Sequence, residues 1–345
     1  MYQALYRKWR PKVFSDVIGQ EHITETLKKQ VAEGRTSHAY LFTGTRGTGK
    51  TTCAKILAKA VNCEHPVNGD PCCQCPSCLG LESGSFLDVL ELDAASNNGV
   101  DQVRALRDEA IYAPANVKKR VYIVDEVHML STAAFNALLK ILEEPPAHLM
   151  FILATTELHK VPATILSRCQ RYSFKRILPK DIAQRLTYVA GQEHIDLTAD
   201  GAELLSRLAD GALRDGLSLL DQCAAAGGTV DSRAVLEVLG LAGNLQTAQL
   251  MRHILDRNAQ AALLLLNELY AGGKDVGAVL GELSTLTRDL LLRKTAPEGG
   301  AALLSGGFDS ATLDQLGKDV PSNRFLYLAS TLQKAAADLY YSADR

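Results

Sequence analysis

The stretch Gly44-Thr-Arg-Gly-Thr-Gly-Lys-Thr51 constrains this 345-residue chain more than any other. The apolar run Ala39-Tyr-Leu-Phe42 before it reads as a buried strand. After it, Thr52-Cys-Ala-Lys-Ile-Leu-Ala-Lys-Ala60 repeats its apolar residues at helical spacing. A strand, G-x-x-x-x-G-K-[ST] and a helix in that order are the context a P-loop needs. The glycines let successive backbone N–H groups turn inward on phosphate oxygens, and the helix N-terminus adds partial positive charge. The candidate nucleotide cradle therefore runs from Gly44 through Thr45, Arg46, Gly47, Thr48, Gly49, Lys50 and Thr51 to Thr52. Lys50 is placed to reach the β- and γ-phosphates, and the Thr51 hydroxyl to sit on Mg²⁺.

A P-loop needs acids at the end of a second strand. Val121-Tyr-Ile-Val-Asp125-Glu126 supplies them as four apolar or aromatic residues followed by two carboxylates. In parallel α/β sheets ligands bind at that C-terminal edge. Asp125 would orient Mg²⁺ through its water shell, and Glu126 would act as general base on the attacking water. A third strand, Leu149-Met-Phe-Ile-Leu-Ala154, ends in Thr155-Thr156, where a polar side chain can feel the γ-phosphate.

Five of the eight cysteines fall between Cys63 and Cys78. The spacing Cys63-x8-Cys72-x2-Cys75-x2-Cys78 suits four thiolates around tetrahedral Zn²⁺, a closed and structural site. Iron–sulfur ligation is the alternative for such a run, and Cys73 is an alternative ligand to Cys72. Zinc is preferred, and Cys72 is preferred because its spacing to Cys75 repeats at Cys78. A secreted disulfide framework does not look like this.

Charge is nearly balanced, at −2, so no bulk basic field marks the chain as nucleic-acid binding. The N-terminal ten residues lack the apolar core of a signal peptide, and no apolar run approaches the roughly 20 residues of a membrane span. A cytoplasmic protein is expected. The first 20 residues are basic and aromatic, turn at Arg10-Pro11, and read as a surface arm unless something else engages them. A helix is expected from near Glu21, a strand over Phe86–Asp93, and a helix over Val100–Tyr112 capped by Ser96 or Asn97. Arg104 and Arg107 share a face of that helix, as solvated charges or as DNA contacts. Alternating strands and helices predict a parallel sheet covered on both faces. The β pattern ends at Leu178-Pro179, and residues 180–240 read as short helices broken at Gly191, Gly201, Gly211 and Gly227-Gly228. Residues 243–345 read as a separate Leu- and Ala-rich helical bundle.

These residues resemble one family closely, the γ/τ subunits of bacterial DNA polymerase III, which are the ATPases of its clamp loader. The likeness rests on Tyr6-Arg-Lys-Trp-Arg-Pro11, Val17-Ile-Gly-Gln-Glu-His22, the P-loop, the four cysteines and Asp93-Ala-Ala-Ser96. It continues through Val124-Asp-Glu-Val-His-Met-Leu130, Phe135-Asn-Ala-Leu-Leu-Lys140, Leu142-Glu-Glu-Pro-Pro146, Leu166-Ser-Arg-Cys169 and Gly211-Ala-Leu-Arg-Asp215. It covers essentially the whole chain and is most specific up to about residue 220.

The resemblance implies a P-loop NTPase of the AAA+ class: an α/β nucleotide-binding domain over 1–178 with an inserted zinc module at 63–78. A helical lid over 179–242 and an all-α collar over 243–345 would follow. It implies that Arg168 is an arginine finger acting on ATP held by the adjacent subunit, so hydrolysis requires oligomerisation. Arg214, with Leu213 beside it, looks like the sensor-2 arginine, and Thr156, with Thr155 as the alternative, like sensor 1. Adenine is expected near Arg10, Pro11, Val17 and Ile18. The cofactors implied are ATP, Mg²⁺ and Zn²⁺. The partners implied are delta, delta prime and further gamma/tau copies, the sliding clamp and primer–template DNA, with no membrane. Two departures stand out. The family's collar helices usually continue past Tyr340-Tyr-Ser-Ala-Asp-Arg345, so a truncated collar is expected here, and Asn97-Asn-Gly99 is not basic. A non-hydrolysing scaffold is disfavoured because Lys50, Thr51, Asp125 and Glu126 are all present, and a different AAA+ remodeller by the four cysteines and Ser167-Arg-Cys169.

Overall fold

The computed structural model describes residues 3–239, 244–297, 300, 303–305, 307–308 and 310–341. Its contacts divide the chain into two compact units, Met1–Val189 with Ala209–Asp221, and Ala190–Leu208 with Gln222–Arg345.

The first unit is built on a sheet of five parallel strands: β1 (Ala39–Thr43), β2 (Val89–Asp93), β3 (Arg120–Asp125), β4 (Leu149–Thr155) and β5 (Gln170–Ser173). Their order across the sheet is β2-β3-β4-β1-β5. The helices of this unit begin with α1 (Leu5–Lys8), α2 (Glu21–Ala32), α3 (Lys50–Asn62) and α4 (Pro76–Ser83). They continue with α5 (Val100–Ala110), α6 (Thr132–Glu143), α7 (Ala163–Leu166) and α8 (Pro179–Gln192). β1 and β4 are buried along their whole length, which explains why both read as unbroken apolar runs. Alternate residues of β4 serve opposite cores. Leu149, Phe151 and Leu153 pack with Leu106 of α5 and Leu138 of α6, while Met150 and Ile152 pack with Leu27 of α2 and Leu57 of α3. The edge strands β2 and β5 are only partly buried and carry polar residues. Because every pairing is parallel, the strand ends share one edge, with Thr43 opposite Thr155 and Asp93 opposite Asp125.

The second unit is helical. Asn244–Leu255, Ala259–Ala271, Val276–Thr295, Ser310–Gly317 and Ser322–Tyr341 surround a core that includes Met251, Leu283, Leu286, Leu290, Leu313 and Phe325. Asn258 and Asp275 cap two of these helices, accepting from the amides of Ala261 (3.1 Å) and Ala278 (2.9 Å). No helix among the described residues is long and apolar enough to cross a membrane.

Three expectations need correction. Gly191 and Gly201 lie inside helices and do not break them. A Cβ on Gly201 would come within 2.3 Å of the Val230 carbonyl oxygen, so that glycine serves a close backbone approach within the second unit. Helix α5 is not capped by Ser96 or Asn97. Gly99 occupies its N-cap, and both side chains donate to the Asp93 carbonyl instead (3.2 and 3.1 Å). Finally, the first 20 residues are not a surface arm, because Leu5, Phe14 and Val17 are buried. The boundary expected at 242/243 lies outside the described residues, as do the last four residues of the chain.

The two-sided core gives a simple contrast. Phe151→Ala should destabilise the first unit by about 3–5 kcal/mol, because it leaves a cavity under the sheet. Leu87→Ala, at a side chain 86% exposed, should shift stability by less than about 0.5 kcal/mol. Denaturant unfolding of the two variants checks the pair.

Candidate nucleotide site and cysteine cluster

The loop between β1 and α3 is shaped by three glycines with positive φ, Gly44 (144°), Gly47 (78°) and Gly49 (102°). Two of them also leave no room for a side chain. A Cβ on Gly44 would lie 2.5 Å from the Phe174 carbonyl oxygen, and one on Gly47 2.6 Å from Ala212 Cβ. Thr48 is buried and donates to the Thr45 carbonyl (2.8 Å), tightening the turn. Buried Gln20 braces the loop from outside, donating to the Lys175 carbonyl (2.7 Å) and accepting from the Lys175 amide (3.1 Å).

Lys50 opens α3, is buried, and donates to the Gly44 and Thr45 carbonyls, both at 2.9 Å. Burial pulls its ammonium below the usual lysine range, and the Glu126 and Asp125 carboxylates oppose that pull. Thr51 Oγ1 donates to Asp125 Oδ2 at 2.6 Å, so the hydroxyl and carboxylate assigned to Mg²⁺ are already adjacent. Glu126 has a left-handed backbone (φ 47°), and its amide donates to Asp125 Oδ1 (2.9 Å).

A cavity of about 160 Å³ gathers most of the candidate residues. Its lining includes Arg10, Pro11, Val17 and Ile18, the loop and helix start from Arg46 to Thr52, and Asp125, Glu126, Leu213 and Arg214. Gly44, Thr45, Thr156 and Arg168 are not among its lining residues. Thr156 faces Glu126 instead, donating to Glu126 Oε2 from its amide (3.2 Å) and its hydroxyl (3.0 Å). Arg168 is held on its own chain by Glu143 Oε1 (2.7 Å) and the Thr164 carbonyl (2.8 Å). Arg214 lies over the Tyr6 ring, 4.9 Å from its centroid, a cation–π contact.

Sequence reasoning missed Tyr6, Trp9, Ile177 and Leu217, which complete the cavity wall. The interleaving of Tyr6 and Trp9 with basic residues was the available signal. Trp9 is fixed edge-on against Tyr188 (5.8 Å between centroids), with the Arg185 guanidinium 5.2 Å from the Tyr188 centroid.

The sulfurs of Cys63, Cys72, Cys75 and Cys78 all lie within 4.8 Å of one another. The Cys63–Cys75 and Cys72–Cys78 pairs are 4.0 Å apart, close to the roughly 3.8 Å edge of a tetrahedron with Zn–S bonds of about 2.3 Å. Backbone amides of Cys72, Cys75 and Cys78 donate to Cys63, Cys72 and Cys75 sulfurs respectively (3.3, 3.3 and 3.4 Å). Such donors stabilise thiolates, and the amides of Gln74 and Cys75 hold the Cys72 thiol down at about 6. The donor set and its geometry fit a tetrahedral metal. Cys73 turns away with φ 58°, its thiol toward the Lys12 carbonyl (3.7 Å). The turn between Cys63 and Cys72, closed by the Val67–Asp70 bridge, is pinned by Asp70, which accepts from the Phe14 amide and the Ser15 hydroxyl, both at 2.6 Å.

A parallel sheet with a P-loop after β1 and two acids after β3 defines a P-loop nucleotide-binding fold of the AAA+ class. The RuvB protein of Thermotoga maritima shares that fold, with a TM-score of 0.52 at 16% identity over 80% of this chain and 88% of that one. Family models match in succession: DNA polymerase III, delta subunit, over residues 19–177; the clamp loader subunit ATPase lid domain over 181–229; and gamma and tau domain III over 230–345. The DNA polymerase III tau subunit of Bacillus subtilis is 46% identical over 99% of this chain and 61% of its own length. The gamma subunit of Buchnera aphidicola is 41% identical over 82% of this chain and 78% of its own. This chain belongs to the DNA polymerase III gamma/tau family. It spans 53% of the Escherichia coli tau subunit, so it covers between half and two thirds of the tau relatives it matches first.

Two measurements check the sites. Trp9 is the single tryptophan, so MgATP should change its emission, and Lys50→Ala should abolish that change. Retained ATP affinity in Lys50→Ala would remove the P-loop assignment. Metal analysis should return about one zinc per chain, lost in Cys72→Ser and kept in Cys73→Ser. An absorbing iron cluster would contradict the zinc assignment.

Proposed function

We propose that this chain is an ATP-hydrolysing motor subunit of a DNA polymerase III clamp loader. The observation that carries the reading is the convergence of Lys50, Thr51, Asp125 and Glu126 at one end of the cavity, with Thr51 already 2.6 Å from Asp125. On this reading residues 1–178 bind nucleotide, 179–242 form a lid and 243–345 a collar.

ATP enters with adenine against Arg10, Pro11, Val17 and Ile18 and its phosphates over the amides of residues 44–49. Lys50 exchanges the Gly44 and Thr45 carbonyls for phosphate oxygens, which offer it stronger, charged acceptors. Thr51 and Asp125 would hold Mg²⁺, which supplies charge neutralisation at the phosphates. Glu126 orients and deprotonates the attacking water, with Thr156 fixing its carboxylate. Arg214 leaves Tyr6 for the γ-phosphate. Arg168 leaves Glu143 to reach ATP on an adjacent subunit, which makes turnover depend on assembly. The four cysteines would hold a structural zinc, and four sulfur ligands would leave no open position for water.

The assembly would comprise delta, delta prime and further gamma/tau copies, act in the cytoplasm, and open a sliding clamp onto primer–template DNA. DNA would be gripped through its phosphates, with steep salt dependence and little sequence preference. Arg104 and Arg107 are weak candidates for that contact, since each is paired with a neighbouring acid, Asp101 (3.3 Å) and Asp108 (2.7 Å).

ATP turnover should be low for the chain alone and rise strongly only with companion subunits, clamp and primed DNA together. High turnover indifferent to clamp and DNA would leave an ATPase and discard the clamp loader. Arg168→Ala should keep ATP binding and lose turnover in the assembly; normal turnover would remove the trans-acting finger.

A further inference from the structure

We propose that His128, with a proton on both ring nitrogens, is a positioning residue for ATP hydrolysis, its Nδ1–H directed at the Glu126 carboxylate and its Nε2–H at Glu157. The inference rests on Glu126 being the base, and it adds a residue that the P-loop and strand motifs do not reach.

His128 belongs to the short 3₁₀ turn Val127–Met129 that follows β3 directly, and its side chain is 6% exposed. A buried side chain that only filled the core would meet apolar atoms. This imidazole meets oxygens on both sides. Nδ1 hydrogen-bonds with Thr155 Oγ1 at 2.9 Å and lies 3.4 Å from Glu126 Oε2, an ion-pair distance when the ring carries both protons. Nε2 lies 3.3 Å from Glu157 Oε1. Glu157 is itself fixed, since its amide donates to Thr155 Oγ1 (3.0 Å) and Lys160 lies 2.9 Å from its carboxylate. Lys160 holds Glu157 below the usual carboxylate range, with His128 and His159 adding to that effect.

Glu126 needs such support. Its left-handed backbone (φ 47°) is costly for a residue with a Cβ and persists only where surroundings over-determine it. Thr156 and His128 approach the same oxygen, Oε2. Thr156 alone fixes that oxygen to the end of β4. His128 adds a second direction, so the other carboxylate oxygen is aimed and not merely tethered. A general base misplaced by about 1 Å can lose two orders of magnitude in rate. Binding of ATP should be indifferent, because His128 and Glu157 are not among the lining residues of the nucleotide cavity.

The test uses the full chain assembled with its companion subunits, measuring ATP affinity through Trp9 emission and hydrolysis in a single turnover. His128→Ala should slow hydrolysis at least tenfold with ATP affinity within twofold. Glu157→Gln should slow it by a smaller factor, and the double variant should be no slower than His128→Ala, as expected for two residues acting through one contact. His128→Asn, whose amide nitrogen overlaps the Nδ1 position, should recover part of the lost rate; it also carries the test if the alanine variant fails to fold. Hydrolysis within twofold of normal in His128→Ala, or rate losses that multiply in the double variant, would overturn the proposal. Glu126→Gln in the same assay separates the two levels. If it hydrolyses ATP normally, the reading of Glu126 as base falls. If it is inactive while His128→Ala is normal, only the positioning role falls.

Discussion

The hydrogen bond from Thr51 to Asp125 ties the first turn of α3 to the end of β3, two strands away in the sheet. It forms only if β1 and β3 run parallel and in register with β4 between them, so that both strands stop at the same edge. The apolar alternation of β4 enforces that register. A slip of one residue would exchange Phe151 for Ile152 between the two cores, with side chains of different shape on each face. The placement of two polar groups at the site thus depends on the packing of a strand that contributes no side chain to the cavity itself.

Electrostatics at this edge are arranged by neighbours of opposite sign. Lys50 is buried where an ammonium is disfavoured, and the two acids after β3 counter that cost. The arginines assigned to phosphate each rest on a partner within the first unit, Arg168 on Glu143 and Arg214 on Tyr6. Both partners are weaker attractions than a polyphosphate would be, so each arginine is held without being committed. The cysteine cluster is divided, with backbone amides holding the Cys72 thiol down while burial pushes the Cys63 and Cys78 thiols up.

Much of the site was legible because its signals are local. Glycine spacing, a lysine and a threonine at a helix start, two acids after an apolar strand, and cysteines two residues apart each express a mechanism within about ten residues of chain. The cavity accordingly gathers Lys50, Thr51, Asp125 and Glu126. Thr156 and Arg168 were also singled out, yet their neighbours, Glu126 and Glu143, could not be read. Those contacts join segments about 30 and 25 residues apart, and no spacing rule connects them. Gln20 escaped for the same reason, since it meets Lys175 from 155 residues away. Gly201 misled because a glycine in a helix reads as a break unless the backbone pressed against it is known, and Gly191 because a helix tolerates a glycine with open space around it.

The sequence by itself determined the class of site and the chemistry available to it. A positive-φ loop, a phosphate-seeking lysine, paired acids and a four-thiol cluster need only residue type and spacing. The tertiary structure alone decided which groups meet. It turned Cys73 away from the sulfurs, set Thr156 against Glu126, and lodged His128 between two carboxylates. The reason is physical. Residue type and near-neighbour spacing set local conformation, whereas side-chain encounters depend on where packing of the whole sheet and its helices brings distant segments to rest.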